Sequence, residues 1–93
     1  MPMVILLELS EPADAHLYQV SGEDPEPAAV HLVHAAASGP DAPGDPADTT
    51  LCGTSTARML PTRWQPTAPG ERWPQRWRPW ACRICDTALR SAR

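Results

Sequence analysis

The sequence predicts a single small α+β domain, with a few antiparallel strands and a short C-terminal helix. Its 93 residues are enough for one domain at most. The 12 prolines and 5 glycines make much of the chain irregular, which leaves few residues for regular structure. A hydrophobic core of that size is rarely sufficient by itself, so we expect a further stabilising element.

Residues 1–27 are predicted to form an N-terminal β-hairpin extension. The apolar run Met3–Leu9 starts with strand formers and ends in the turn sequence SEPAD, and residues 16–20 (HLYQV) fit a second short strand. A helix competes for the first run because Leu and Glu form helices well, but Pro12 and the short length favour a strand. The first strand could also pair edge to edge with a second copy in a homo-oligomer.

Residues 28–93 are predicted to form the main module. Strands are expected at residues 28–36 (AAVHLVHAA) and 49–56 (TTLCGTST), paired as a hairpin across the acidic connection 38–48. The prolines between residues 61 and 80 exclude a helix of useful length there. Residues 81–93 lack Pro and Gly and end in Arg, which predicts a short helix whose last-turn cations suit its dipole.

Charge is sorted along the chain, although the net charge is only −3. Residues 1–50 carry nine carboxylates and no Lys or Arg, whereas residues 51–93 carry eight Arg and two carboxylates. We expect the two halves to fold together and screen each other; alternatively, the basic half faces a polyanion or an acidic partner. Neither a signal peptide nor a membrane span is recognisable, which predicts a cytoplasmic protein with reduced cysteines and no membrane association.

The three cysteines are predicted to hold a metal ion. Cys82 and Cys85 form a C-x-x-C pair at the start of the predicted helix, where both sulfurs can point at one spot and backbone N–H groups stabilise thiolate charge. Cys52 supplies a third sulfur from the LCG turn, in which glycine lets the backbone curl. A tetrahedral zinc site needs a fourth ligand, and the candidates are His31 and His34 on the neighbouring strand.

Other chemistries compete for these residues. The cysteines could be buried thiols, a thioredoxin-type redox pair or iron–sulfur ligands, but no βαβ pattern surrounds them and a cluster normally requires four cysteines. A nucleophile pair of Cys52 with a histidine lacks a recognisable third orienting group. His16 is expected to be a surface or strand residue. We favour a structural zinc site, which leaves no open position for a substrate, and therefore do not expect an enzyme.

The pattern VHLVHAAAS, TLCGT, two spaced tryptophans, CRIC and AL resembles a family of small zinc-finger-like proteins of high-GC Gram-positive bacteria and their phages. The resemblance covers about residues 29–90 and implies Zn²⁺ binding on a treble-clef or zinc-ribbon-like scaffold. Position by position, Cys52, Cys82 and Cys85 fall on the family's cysteines, and His31 falls best on its histidine. The long acidic insertion, the long Trp/Arg segment and the second histidine depart from the pattern, so His34 stays open as the alternative.

Arginine and tryptophan alternate in residues 63–80, RWQPTAPGERWPQRWRPW. Such a segment can stack bases and grip phosphates, or dock on a protein, because Trp and Arg dominate interface energetics. The indoles could instead cover the metal site and the short sheet, with Arg stems over them in cation–π contact. The candidate binding residues are Arg63, Trp64, Arg72, Trp73, Arg76, Trp77, Arg78 and Trp80.

These features predict a non-catalytic, zinc-binding interaction or regulatory module that docks on a protein partner through its Trp/Arg-rich surface. A nucleic-acid-binding zinc module is the alternative. The acidic N-terminal half argues against broad affinity for DNA.

Overall fold

The computed structural model describes residues 3–39, 45–66 and 70–91. The strands are β1 (Met3–Leu9), β2 (Val30–Ala37) and the two-residue β3 (Leu60–Pro61), and the α-helices are α1 (Ala15–Ser21) and α2 (Arg83–Ser91). Short 3-10 turns lie at Pro12–Asp14, Pro27–Ala29 and Arg78–Trp80. The predicted α+β class, with an antiparallel sheet and a C-terminal helix, is confirmed. Within the described ranges, no helix is long and apolar enough to cross a bilayer.

Strand β1 runs through the middle of a three-stranded antiparallel sheet with the order β2-β1-β3. It pairs with β2 along its whole length, with a bulge after Glu8, and with β3 at Leu6 and Leu7. The strands predicted at residues 3–9 and 28–36 are therefore both present, and each is the other's partner. Because β1 has neighbours on both sides, the predicted edge-to-edge pairing of this strand is not available over its centre.

Alternate residues of β1 supply two hydrophobic clusters, since successive strand side chains point to opposite faces. Val4 and Leu6 join a small cluster with Ala36 and Met59. The odd-numbered residues face the larger core, which also holds residues from the Trp/Arg segment and from α2. That core contains Ile5, Leu7, Leu9, Val30, Val33, Ala35, Leu60, Trp73, Trp77, Cys82 and Cys85.

The predicted N-terminal hairpin is wrong, because residues 16–20 lie in helix α1 and not in a strand. Ala15 and Tyr18, three residues apart and so on one face of the helix, pack against the larger core. Gly22 ends the helix in the left-handed region, with φ 74°, and its N–H donates to the carbonyl of Tyr18 at 2.9 Å. A short apolar alternation is ambiguous by itself, and here the helical spacing of the packed residues decides.

The segment 49–56 is also not the strand that was predicted. It forms a turn closed by an isolated bridge between Thr49 and Ser55, and its backbone is bonded to β2 from Leu51 N–H to the carbonyl of Ala35. The predicted absence of a long helix in residues 61–80 holds in the described part, where only the turn Arg78–Trp80 is helical. Residues 40–44 of the acidic connection and 92–93 of the predicted helix lie outside the described residues.

Candidate metal centre

Two backbone hydrogen bonds at the outer edge of β2 bring the cysteine-bearing segments to His34. The carbonyl of Val33 accepts from Cys82 N–H, and the carbonyl of Ala35 accepts from Leu51 N–H, both at 2.8 Å. These two carbonyls flank His34 in the strand. The segment before α2 and the turn after Leu51 are therefore fixed on either side of the histidine.

Cys52 lies in a tight turn that begins at Thr50. The N–H of Gly53 donates to the carbonyl of Thr50 at 2.9 Å, and the N–H of Thr50 donates to the carbonyl of Thr54 at 2.8 Å. Gly53 has φ 91°, a left-handed conformation that a side chain would strain. This glycine allows the chain to turn immediately after the sulfur-bearing residue, as the sequence predicted.

Cys82 and Cys85 flank the first turn of α2. Cys82 directly precedes the helix, and its carbonyl accepts a hydrogen bond from Asp86 N–H at 2.9 Å. Cys85 is the third residue of the helix and is fully buried. The free N–H groups of a first helical turn favour negative charge, so this is a suitable place for two thiolates.

The three sulfurs and one imidazole of His34, Cys52, Cys82 and Cys85 converge, with ligand atoms all within 4.8 Å of one another. The Nδ1 atom of His34 is 3.5 Å from the Cys52 sulfur and 3.7 Å from the Cys85 sulfur. All three cysteines are free thiols. The predicted cluster of three cysteines and one histidine is confirmed as a candidate metal centre.

His34, and not His31, is the histidine of this cluster. His31 is exposed on β2, whereas His34 is 2% exposed. Residues three apart in a strand face opposite sides, so only one of the two could meet the sulfurs. The choice of His31 as the fourth ligand is therefore wrong. His16 is exposed on α1, as expected of a surface residue.

Glu8 is a residue of the site that was not predicted from the sequence. Its carboxylate oxygen Oε1 accepts a hydrogen bond from His34 Nε2 at 2.6 Å. This bond orients the imidazole and leaves Nδ1 free to face the sulfurs, which is the usual arrangement of a metal-ligating histidine with a carboxylate behind it. The available signal was a lone carboxylate inside the apolar run MVILLEL, at a position whose partner strand was not known.

The electrostatics of the sulfurs are unequal. Burial opposes ionisation of Cys52, but hydrogen bonds from Thr50 and Thr54 outweigh it and lower the pKa of the thiol from 9.0 to about 6. The Thr50 hydroxyl is 3.0 Å from the sulfur. Burial is the main cause that raises the pKa of Cys85 to about 11. A bound metal ion replaces the protons of its thiol ligands, so it favours the thiolate form of each of them.

Two indoles of the Trp/Arg segment are buried: Trp73 is 6% exposed and Trp77 is 4% exposed. The Nε1–H of Trp73 donates to the Asp86 carboxylate at 2.8 Å, and that of Trp77 donates to the Pro25 carbonyl at 3.3 Å. The hydrogen bond from Trp73, with that from Arg72, lowers the pKa of Asp86. Trp73 and Trp77 are thus core residues, in line with the interpretation that indoles cover the sheet.

The remaining residues of the segment are more accessible. Trp64 is partly buried against the larger core, and Trp80 is 37% exposed. Arg72 donates through Nε to Asp86 at 2.9 Å and so helps to tie the segment to α2. The exposed arginines are Arg63, Arg76 and Arg78.

No protein-family model, curated protein or solved structure matches this chain. The class of site is therefore defined by its own geometry. It is a candidate metal centre of one histidine and three cysteines, with a carboxylate on the far side of the imidazole.

Proposed function

We propose that the protein is a small zinc-binding module in which Zn²⁺ is a structural ion held by His34, Cys52, Cys82 and Cys85. The convergence of these four donors on one point is the observation that carries the proposal. Zn–S bonds of about 2.3 Å and Zn–N bonds of about 2.0–2.1 Å put sulfur and nitrogen about 3.5 Å apart in a tetrahedron. The two sulfur–nitrogen distances from His34, 3.5 and 3.7 Å, fit that geometry.

Zinc is favoured over other metals by the donor set. Thiolate and imidazole ligands in tetrahedral sites are typical of zinc, and an iron–sulfur cluster would normally use four cysteines. Three of the four donor residues are buried, and four protein donors are enough to complete a tetrahedral zinc site. Such a closed site stabilises the fold and has no position for water or substrate, which supports a non-catalytic role.

A thiol enzyme is the competing chemistry. The hydrogen bonds of His34 to Cys52 and to Glu8 connect a nucleophile, a base and an orienting carboxylate, as in hydrolytic triads. The sulfurs of Cys82 and Cys85 lie at the same imidazole, however, and a triad has no use for them. The additional thiols favour the metal site.

Cobalt substitution tests the zinc proposal. Loading with Co²⁺ is expected to give one ion per chain, thiolate-to-cobalt charge-transfer bands, and ligand-field bands of a tetrahedral site without bound solvent. Failure of the folded chain to bind Co²⁺ or Zn²⁺, or a spectrum that requires a solvent ligand, would overturn the structural-zinc assignment. Fast alkylation of Cys52 in the zinc-loaded protein would favour the thiol-enzyme alternative instead.

We further propose that the module acts by docking on a protein partner. The supporting surface is the end of the Trp/Arg segment and the start of α2, where Trp80 and Ile84 are exposed at 37% and 65%. Exposed Arg78 and Arg83 accompany them, and neither forms an ion pair among the described residues. Exposed aromatic and aliphatic side chains with arginines close to them in the sequence are typical of interface anchors.

A pull-down from host lysate tests this docking surface. Trp80→Ala is the suitable variant because it removes an exposed ring, whereas Trp77→Ala would damage the core. Leu17→Ala, which removes an exposed side chain from α1, is the matched control. A partner lost with Trp80→Ala and kept with Leu17→Ala supports the proposal; a partner that is insensitive to Trp80→Ala contradicts it.

Nucleic-acid binding is the second candidate, favoured by the exposed side chains of Arg63, Arg78 and Trp80. Trp73 and Trp77 are buried, so neither ring is available for a base of the nucleic acid to stack on. Titrations of the protein with single-stranded DNA and RNA at two salt concentrations test this function. Affinity that falls steeply with salt and with Arg78→Ala supports this function, and salt-insensitive or absent binding rules it out.

A further inference from the structure

A second candidate site lies in a cleft between α1, the loop after it, and the segment that follows β3. Its volume is about 650 Å³, within the range of roughly 300–1,000 Å³ that is usual for sites of small organic ligands. No metal ligand and no residue of α2 lines it. The residues of the cleft are therefore different from those of the metal centre, and a ligand in the cleft would serve a separate function.

The walls of the cleft are unusually aromatic. Tyr18, Trp64 and Trp77 all line it, three of the five aromatic side chains in the sequence. Trp77 is fixed by packing and by its hydrogen bond to the Pro25 carbonyl, and Tyr18 and Trp64 pack partly buried against the same core. Their positions are set by the fold, so they form a preformed aromatic surface.

Two carboxylates accompany the aromatic rings. Glu23 and Asp24, in the loop after α1, line the cleft beside Tyr18. Aromatic faces carry negative quadrupole potential and carboxylates carry full negative charge, so the two act in the same direction. Both attract a cation, and aromatic rings do so most effectively for weakly hydrated organic cations.

The same corner of the molecule already holds one organic cation of its own. The guanidinium carbon of Arg76 lies 5.7 Å from the centroid of the Trp77 ring. Its Nη1 atom lies 3.7 Å from the Asp24 carboxylate. Arg76 itself does not line the cleft. Trp77 is itself buried, so the rings that can meet an external cation are those of the half-buried Tyr18 and Trp64.

We propose that this cleft binds a ligand through an alkylated ammonium group. Tyr18 and Trp64 supply ring faces for its methyl groups, and Glu23 and Asp24 supply the counter-charge. Arg63, on the wall after β3, suits an anionic group elsewhere on the ligand. The ammonium group could belong to a free small molecule or to a methylated lysine of a protein, and the chemistry recognised is the same in both cases.

Calorimetric titration of the zinc-loaded protein tests the proposal. In the first arm the probes are choline and its uncharged carbon isostere 3,3-dimethylbutanol; in the second they are matched peptides with trimethyllysine or norleucine. We expect the cationic member of at least one pair to bind about fivefold or more tightly than its neutral counterpart. Binding in the first arm alone identifies a free ligand, and binding in the second alone identifies a protein-borne one.

Variants locate the site. Glu23→Gln with Asp24→Asn, and separately Tyr18→Leu, are expected to weaken cation binding about tenfold, while Leu17→Ala, an exposed residue of the same helix that does not line the cleft, leaves it unchanged. Zinc content reports that each variant is folded. Equal affinity for charged and neutral probes in both arms would overturn the proposal. So would cation binding that survives both cleft variants in zinc-loaded protein.

Discussion

Replacement of His34 by alanine is the sharpest test of the metal ligands, because the same strand carries a second histidine that serves as its control. His34 is 2% exposed and is one of four donors around a single point. Structural zinc sites in small modules bind with apparent free energies of about 10–16 kcal/mol at pH 7. If this free energy is divided equally among four donors, each ligand contributes about 2.5–4 kcal/mol. Removal of one ligand should therefore lower the zinc affinity about 100- to 1,000-fold.

Competition with a chromophoric chelator measures this loss. His31→Ala removes an imidazole of identical chemistry from an exposed position and is expected to change stability by no more than about 0.5 kcal/mol and zinc affinity hardly at all. Circular dichroism with and without zinc shows whether His34→Ala fails by unfolding or by weak binding. Equal zinc affinity of the two variants, or a larger loss for His31→Ala, would refute the assignment of His34.

Three further outcomes are expected. Glu8→Gln keeps the size of the side chain but removes the charge behind the imidazole. Chelator competition should then show a zinc affinity that is about 10- to 100-fold lower, and an unchanged affinity would show that Glu8 does not support the His34 ligand. Asp86→Ala leaves the buried Trp73 indole N–H without its acceptor and should lower the free energy of unfolding, measured in urea, by about 1–3 kcal/mol. Arg90→Ala, which removes the exposed ion-pair partner of Asp86, should lower it by less than about 0.5 kcal/mol, and equal losses would contradict this. Trp77→Ala should lower the free energy of unfolding by about 3–5 kcal/mol and Trp80→Ala by far less. The reverse order would contradict the burial of Trp77 in the core.

Much of the site could be predicted from local sequence because its sulfur donors lie in local motifs. The C-x-x-C pair before a helix and the cysteine before a glycine turn each reflect backbone geometry within a few residues, and both are present at Cys82, Cys85 and Cys52. The two main strands were likewise visible as apolar runs.

The remaining features depend on contacts between distant segments. The choice between His31 and His34 follows from which carbonyls of β2 accept the two hydrogen bonds from Leu51 and Cys82, and no local pattern records this. The role of Glu8 requires the pairing of β1 with β2. With β1 assigned to a separate hairpin, its carboxylate could not be connected with the metal ligands.

The burial of the tryptophans in the Trp/Arg segment could not be predicted from the sequence for the same reason. Composition alone could not distinguish a covering segment from a binding surface, since Trp serves both purposes. The acceptors that draw Trp73 and Trp77 inward, Asp86 and the Pro25 carbonyl, lie 13 and 52 residues away in the chain. Their positions depend on the completed fold.

Native mass spectrometry of the purified chain, before and after treatment with a strong chelator, tests the central claim most directly. We expect one zinc ion per chain, its loss on chelation, and a shift to the high charge states of an unfolded polypeptide once the ion has been removed. A chain that carries no metal, or that keeps its compact charge states unchanged after complete removal of zinc, would contradict it.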